Sequence, residues 1–348
     1  MTVTTVDRAR PVTGGVDTHL DVNVAAALDP IGGLLGVEQF ATTTRGHARL
    51  LQWLSGFGPI ARVGIEGTGS YGTGLARFLR SAHVEVVEVD RPNRQSRRRT
   101  GKSDPADAVE AARAALSGRA QGQGKTRDGN VEAIRALVVA KRSARSSKVQ
   151  ALNQIRQLSF TASEELRERL KDVSRHELAR EAARLRPRVG TDQVTFATKT
   201  AISMLGHRVL ALDAEKQRLD GLLEDLVYET APSLLGVFGV GVDTAATLLA
   251  TAGDNPERIR SEPAWAHLCG VSPISASSGK VTRYRLDPGG DRQANSALWR
   301  IVITRMRSDP RTQSYVERRL KEGRSKPEII RVLKRYVARE VYRHLPRG

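Results

Sequence analysis

The sequence predicts an α/β domain followed by a helical arm and a mainly α-helical C-terminal domain. Three observations carry this. Strand-like and amphipathic helix-like runs alternate over residues 14–116, the pattern of an α/β domain on a mixed sheet. From Val131 to about Leu226 the apolar residues recur at helical spacing and strand alternation is gone. Between these stretches, residues 118–130 (GRAQGQGKTRDGN) are polar and glycine-rich, as a linker is. The boundaries we read are a loose tail at 1–13, the α/β domain at 14–125, the arm at 126–229 and the C-terminal domain at 230–348.

Taken in order, residues 14–29 (GGVDTHLDVNVAAALD) read as one strand, Gly32-Gly33 as a turn, and LLGVEQFAT as the hairpin partner. Asp17 interrupts an apolar run, where a charge is costly unless it is paired or binds a metal. His19 and Asp21 fall at outward-looking positions and read as surface residues. An amphipathic helix, RGHARLLQWLSGF, comes next, then the strand ARVGIEG, which ends in Glu66. The stretch GTGSYGTG (67–74) is not a Walker loop, because no Lys-Ser/Thr follows. It reads as a strand-to-helix turn whose glycines allow close approach of a sugar-phosphate backbone. The helix LARFLRSA and the strand VEVVEVD complete the alternation.

The stretch KSDPADA (102–108) then opens a helix, with Asp104 as N-cap and Pro105 in the first helical position. Asp104 and Asp107, three residues apart, share a helical face. With Asp17 and Glu66 they can converge at one edge of the sheet. Upstream, Arg91, Arg94, Arg97, Arg98, Arg99 and Lys102 crowd a short loop. Acids that hold Mg²⁺, or Mn²⁺ in its place, behind cations that neutralise phosphates are what metal-dependent chemistry on a nucleic-acid backbone requires. Taken alone, the motif reads more readily as a capped surface helix with a solvated acid.

In the arm, Ile134, Leu137, Val138, Leu152, Ile155 and Leu158 lie at helical spacing, interleaved with cations that include Arg142 and Arg145. A second run has Leu205, Val209, Leu212, Leu219, Leu222 and Leu226 in a heptad-like series. Two long helices can therefore pack as an antiparallel hairpin or coiled coil. They form a bundle core, an oligomerisation arm with a basic face, or both. Residues 231–252 look like a helix-hairpin-helix element turning at Gly236, Gly239 and Gly241. Downstream, Ser272, Ser275, Ser277 and Ser278 precede Gly279-Lys280, with Arg283 and Arg285 beyond. This is a polar loop, or a turn presenting a hydroxyl to a phosphate.

Composition narrows the partners. The net charge is +18, from 56 basic and 38 acidic residues, and this points to a polyanion. Residues 283–348 hold 18 Lys/Arg against 7 Asp/Glu. Aromatics make up only 4% of the chain, which argues against stacked single-strand binding. The single cysteine, Cys269, excludes an internal disulfide and cysteine-rich zinc sites. No run approaches a membrane span, and the first residues lack a signal-peptide core. The expected location is inside the cell.

Four segments, GVDTHLDVNVAAALD, GIEGTGSYG, KSDPADA and LCGVSPISASSGK, occur in one order. In this the chain resembles the DEDD transposases of the IS-one-ten/IS-eleven-eleven insertion sequences, described as bridge-RNA-guided recombinases. The resemblance implies an N-terminal RNase H-like domain of the Holliday-junction-resolvase type, with an acid tetrad on Asp17, Glu66, Asp104 and Asp107. It also implies a C-terminal transposase domain with a nucleophilic Ser278 that forms a covalent phosphoserine. The implied partners are donor and target double-stranded DNA, a structured guide RNA, and further copies of the chain in a dimer or tetramer sharing active sites. Nucleic-acid contacts are expected at Arg94, Arg97, Arg98, Arg99, Lys102, Arg142, Arg145, Lys280, Arg283 and Arg285. Ser103 stands where the family more often has threonine, and Ser277 adjoins the nucleophile position.

The nearest rival is a resolvase-like endonuclease with the same metal site, which hydrolyses with water and uses Ser278 only structurally. A sugar-kinase or actin-type ATPase shares the early aspartate and glycine turns but leaves the charge unexplained. A non-catalytic scaffold would explain the charge and not the acids.

Overall fold

A computed structural model of the chain describes residues 10–89, 103–120, 122–275, 279, 284–285 and 287–346. They form two compact units. The first comprises residues up to 129 together with 253–260, and the second comprises 130–252 and 261–347.

The first unit is a mixed α/β domain. Its five-stranded sheet consists of β1 (Val12–Thr18), β2 (Val22–Leu28), β3 (Leu34–Ala41), β4 (Ile60–Glu66) and β5 (Val86–Val89), in the order β3-β2-β1-β4-β5. The first three strands are antiparallel, and β4 and β5 extend the sheet parallel to β1. Residues 14–29 are therefore two strands, where the sequence pattern suggested one. The chain reverses at His19–Asp21, where Leu20 is turned out to solvent. Thr42 fastens this turn, its N–H bonding the carbonyl of Asp21 at 2.9 Å and its hydroxyl that of His19 at 3.1 Å.

Three helices cover the sheet: α1 (Thr44–Ser55), α2 (Thr73–Ser81) and α3 (Asp104–Leu116). A core of large side chains fills the α1/α2 side, with Val12, Val16, Val63 and Ile65 of the sheet against Leu50, Leu54, Leu75 and Leu79. The α3 side is different. Ala108, Ala111, Ala112 and Ala115 line the helix face that meets the sheet, and all are buried. Opposite them stand Gly15 and Gly64. A Cβ on Gly15 would lie 2.1 Å from the backbone N of Ala112, and one on Gly64 would lie 2.6 Å from the carbonyl of Ala111. Only glycine lets the helix backbone come this close.

Residues 253–260 also belong to this unit. Asn255 is buried there. Its amide donates to the carbonyl of Gly124 (3.0 Å), and its oxygen accepts from the N–H of Thr126 (3.2 Å).

The second unit is mainly helical. Its longest elements are α4 (Asn130–Phe160) and α7 (Gln193–Thr230), with α5 (Glu164–Lys171) and α6 (Leu178–Ala183) between them in sequence. Their shared core holds Leu152, Ile155, Leu166, Leu170, Ile202 and Val209. Along α7 the buried positions are Ile202, Gly206, Val209, Leu223 and Val227, so of the heptad-like leucine series only Val209 is fully buried, while Leu205 packs partly buried against the same core. The reason is Gly206, where a Cβ would meet the backbone N of Ala183 at 2.5 Å. Close approach of α6 at that point sets which face is buried.

The glycine turn at 236–241 lies between a one-turn helix, α8 (Pro232–Leu235), and α9 (Val242–Ala252). Gly239 there has a φ of +82°. Helix α10 (Glu262–Leu268) follows, then a short ribbon of β6 (Ile274–Ser275) and β7 (Tyr284–Arg285). Three helices, α11 (Arg292–Ser308), α12 (Pro310–Lys321) and α13 (Lys326–His344), complete the unit. Among the described residues, no helix is long and apolar enough to cross a membrane.

Candidate active site

The site lies on the α3 face, at the end of the sheet where β1 and β4 finish. Strand alternation sets its members. Val16 and Ile65 pair across β1 and β4 and face the large-residue core. Asp17 and Glu66, one residue further on, therefore face the opposite side. The hydroxyl of Thr18 donates to the carbonyl of Glu66 at 2.8 Å and ties the two strand ends together.

The first turn of α3 supplies the other two acids. The N-cap is Ser103, in extended conformation, and not Asp104. Asp104 is the first helical residue, so the expected cap is displaced by one position. Its carboxylate is consequently not consumed in capping. It lies 3.5 Å from the imidazole Nε2 of His19, which is also 3.1 Å from the carboxylate of Asp17. Asp17, His19 and Asp104 each offer a donor atom within 4.8 Å of the others. Asp107, one turn along α3, is buried, and its charge acts on Asp17.

Crowding sets the electrostatics. Asp17 is only 7% exposed. Its pKa is raised, first by burial and then by the charges of Asp107 and Asp104, while His19 partly opposes the shift through its charge and hydrogen bond. Negative charge is thus gathered where solvation is poor, which a cation would relieve. Two carboxylates and an imidazole are an acceptable donor set for a divalent ion. The chemistry of the donors therefore fits a divalent metal at Asp17 and Asp104. His19 is the member that sequence reading left on the surface. The available signal was its i, i+2 relation to Asp17, which places both on one face of an extended chain.

The glycine stretch after Glu66 is a closed turn. The N–H groups of Ser70 and Gly72 both bond the carbonyl of Gly67, at 2.9 and 3.1 Å, and Gly67 itself has a φ of +75°. Its buried Thr68 is hydrogen-bonded to the Glu88 carboxylate on β5.

The expected nucleic-acid contacts divide. Arg94, Arg97, Arg98, Arg99, Lys102, Lys280 and Arg283 lie outside the described residues, as do Ser277 and Ser278. Arg142 is on α4 and donates to the hydroxyl of Thr247 at 3.3 Å. Arg142 is exposed, and partial desolvation of its guanidinium lowers its pKa, against the opposing charges of Asp291 and Asp243. Arg145 and Arg285 are exposed. Other cations along α4 have partners within the second unit: Lys141 bonds Asp220 and Asp243, and Lys148 bonds Asp213. Arg156 holds the carbonyls of Leu170 and Val173.

Comparison with known proteins agrees with these features. A family model described as a transposase matches residues 14–159, and one described as the IS116/IS110/IS902 transposase family matches residues 231–317. Over 149 residues, 41% of this chain, it is 32% identical to an uncharacterized 43.6 kDa protein of insertion element IS110 from Streptomyces coelicolor. Over 139 residues, 39% of the chain, it is 27% identical to an uncharacterized 42 kDa protein of insertion element IS900 from Mycobacterium paratuberculosis. The chain covers 35% of the length of either relative. Models of transposase families thus match both its α/β and its helical part.

Proposed function

We propose that this protein cuts and rejoins DNA to move an insertion sequence. The observation that carries the reading is the meeting of Asp17 and Asp104. They are far apart in sequence, yet the buried Asp17 and the half-exposed Asp104 share one charge-crowded corner in a chain that resembles a transposase family. The sheet order, three antiparallel strands extended by two parallel ones, supports an RNase H-like domain of the resolvase type. In this reading Asp17, Glu66, Asp104 and Asp107 form the acid tetrad, with Mg²⁺ or Mn²⁺ as its ion. The division at 14–125, 126–229 and 230–348 gives a catalytic domain, a coiled-coil arm and a transposase domain.

The ion, when bound, neutralises charge on the phosphodiester and lowers the barrier to its displacement. The chain's own residues do the rest. The acids hold the site in place, Ser103 and the tight α3–sheet contact orient Asp104, and basic residues neutralise the flanking phosphates. Ser278 is the nucleophile. Its oxygen forms a bond to phosphorus as one P–O bond to a sugar breaks. The departing sugar oxygen is protonated, and the serine proton passes to solvent. The reverse reaction, with a new sugar hydroxyl, rejoins the strand without an external energy source. The excess of +18 supports DNA as substrate, with a structured RNA guiding the choice of sites and protomers sharing active sites in a dimer or tetramer. Such a protein works in the bacterial cytoplasm, at the nucleoid.

The test is a covalent adduct. Incubation with element-end DNA and guide RNA, followed by denaturing electrophoresis, yields a protein–DNA band that Ser278→Ala abolishes while filter binding of DNA is retained. Strand exchange by Ser278→Ala at the normal rate would refute the nucleophile, and strand cleavage with no adduct in the wild type would favour hydrolysis by water.

A further inference from the structure

The imidazole of His19 stands between two carboxylates, 3.1 Å from that of Asp17 and 3.5 Å from that of Asp104. We propose that His19 is a nitrogen ligand of the cation site and gives it a preference for Mn²⁺ over Mg²⁺. The inference rests on the cation site proposed above and names the ion that the site selects.

Three observations support it. The first is distance. Donor atoms about 2.1 Å from one octahedral ion lie about 3 Å apart when adjacent. Nε2 of His19 is 3.1 Å from the Asp17 carboxylate and 3.5 Å from that of Asp104, close to the edges of such a polyhedron. The second is support. His19 sits in the β1–β2 turn, and its carbonyl accepts the hydroxyl of Thr42 at 3.1 Å. The neighbouring carbonyl of Asp21 is bonded by the N–H of Thr42. The backbone is therefore fixed from β3, and the ring is not needed to hold the turn. The third is access. The His19 side chain is 41% exposed and that of Asp104 47%, whereas Asp17 forms the buried floor. An ion can enter from solvent on the side where His19 stands.

Donor chemistry gives the preference. Mg²⁺ is a hard ion that keeps its waters and takes oxygen ligands. An imidazole nitrogen adds little for it. Mn²⁺ takes the same carboxylate oxygens and, softer and more readily dehydrated than Mg²⁺, accepts an imidazole nitrogen beside them. Removing that donor therefore penalises Mn²⁺ selectively. A residue that only oriented Asp17 and Asp104 would, when removed, weaken both ions alike.

The experiment titrates the full-length protein with MnCl₂, following the free-ion electron paramagnetic resonance signal, and with MgCl₂ in competition. Wild type should bind Mn²⁺ more tightly than Mg²⁺. His19→Ala should weaken Mn²⁺ by about tenfold or more while changing Mg²⁺ less than about twofold. Equal losses for the two ions, or no loss for either, overturn the assignment. Asp17→Asn separates this from the underlying reading. If that variant binds Mn²⁺ normally, the cation site itself is wrong. If it loses both ions while His19→Ala loses neither, only the role of His19 falls. Circular dichroism monitors folding. Should the alanine variant not fold, His19→Gln replaces the nitrogen by an amide oxygen, and the same selective loss of Mn²⁺ is required.

Discussion

The two faces of the N-terminal sheet are built on opposite principles. On the α1/α2 side, leucines, valines and isoleucines interdigitate, and stability comes from the apolar area removed from water. On the α3 side, glycine meets alanine, and helix and strand backbones nearly touch. The first face holds the domain together. The second gives up apolar volume to bring the first turn of α3 to the end of β1, where Asp104 reaches the neighbourhood of Asp17 and His19. Candidate function lies on the face with the smaller side chains, because only small residues allow the close approach that the acids require.

Gly14 and Gly15 are neighbours in sequence but belong to different faces, so they offer the sharpest test. A Cβ on Gly15 would lie 2.1 Å from backbone nitrogen and 2.4 Å from the carbonyl of Ala108, neither of which can yield without moving the helix. Gly15→Ala should therefore cost upwards of about 3 kcal/mol in urea denaturation, beyond ordinary overpacking, and should lose divalent-ion binding with α3 displaced. A folded variant with normal ion affinity would show that the close contact is dispensable.

A smaller effect is expected at the acids. Because the folded-state pKa of Asp17 is raised, the folded protein binds the proton more tightly than the unfolded chain. Stability then falls as pH rises from the usual aspartate range through the raised value. Above that value, the charged carboxylate is a standing cost. Asp17→Asn should remove this part of the pH dependence, seen as a flatter difference between urea midpoints of variant and wild type from acid to neutral pH. A saturating divalent ion should stabilise wild type at neutral pH and leave the variant unchanged. An identical pH dependence in both proteins would contradict the burial argument.

Gly14→Ala is the smallest change. Its Cβ would meet Leu54 Cδ1 at 3.0 Å and Val63 Cγ2 at 3.1 Å, both mobile ends of side chains. Relief of unfolded-chain entropy offsets the squeeze, and the net should stay within about 1 kcal/mol. A loss equal to that of Gly15→Ala would erase the distinction between the faces.

Much of this was legible in one dimension. The strand-helix alternation, the two long helices and the basic C-terminal helices follow from periodicity. The spacing of Asp104 and Asp107 identified a shared helical face. Three features were not legible. Residues 14–29 look like one strand because valine and alanine continue past the reversal, and the bonds that fix the turn come from Thr42, beyond the next two strands. The buried seam of α7 departs from the leucine series because Gly206 admits α6, a contact that no leucine count reveals. His19 looks like a surface residue until α3 brings Asp104 beside it.

The sequence by itself determined the inventory: acids at strand and helix ends, an excess of positive charge, and motifs in the order of one transposase family. Local rules suffice for these, since periodicity and capping act over a few residues. Tertiary structure alone decided which acids meet, which histidine joins them and which face of the sheet carries them. Those outcomes depend on how near two backbones can pass, and that is set by residues distant in the chain, here the glycines of the sheet and the alanines of α3.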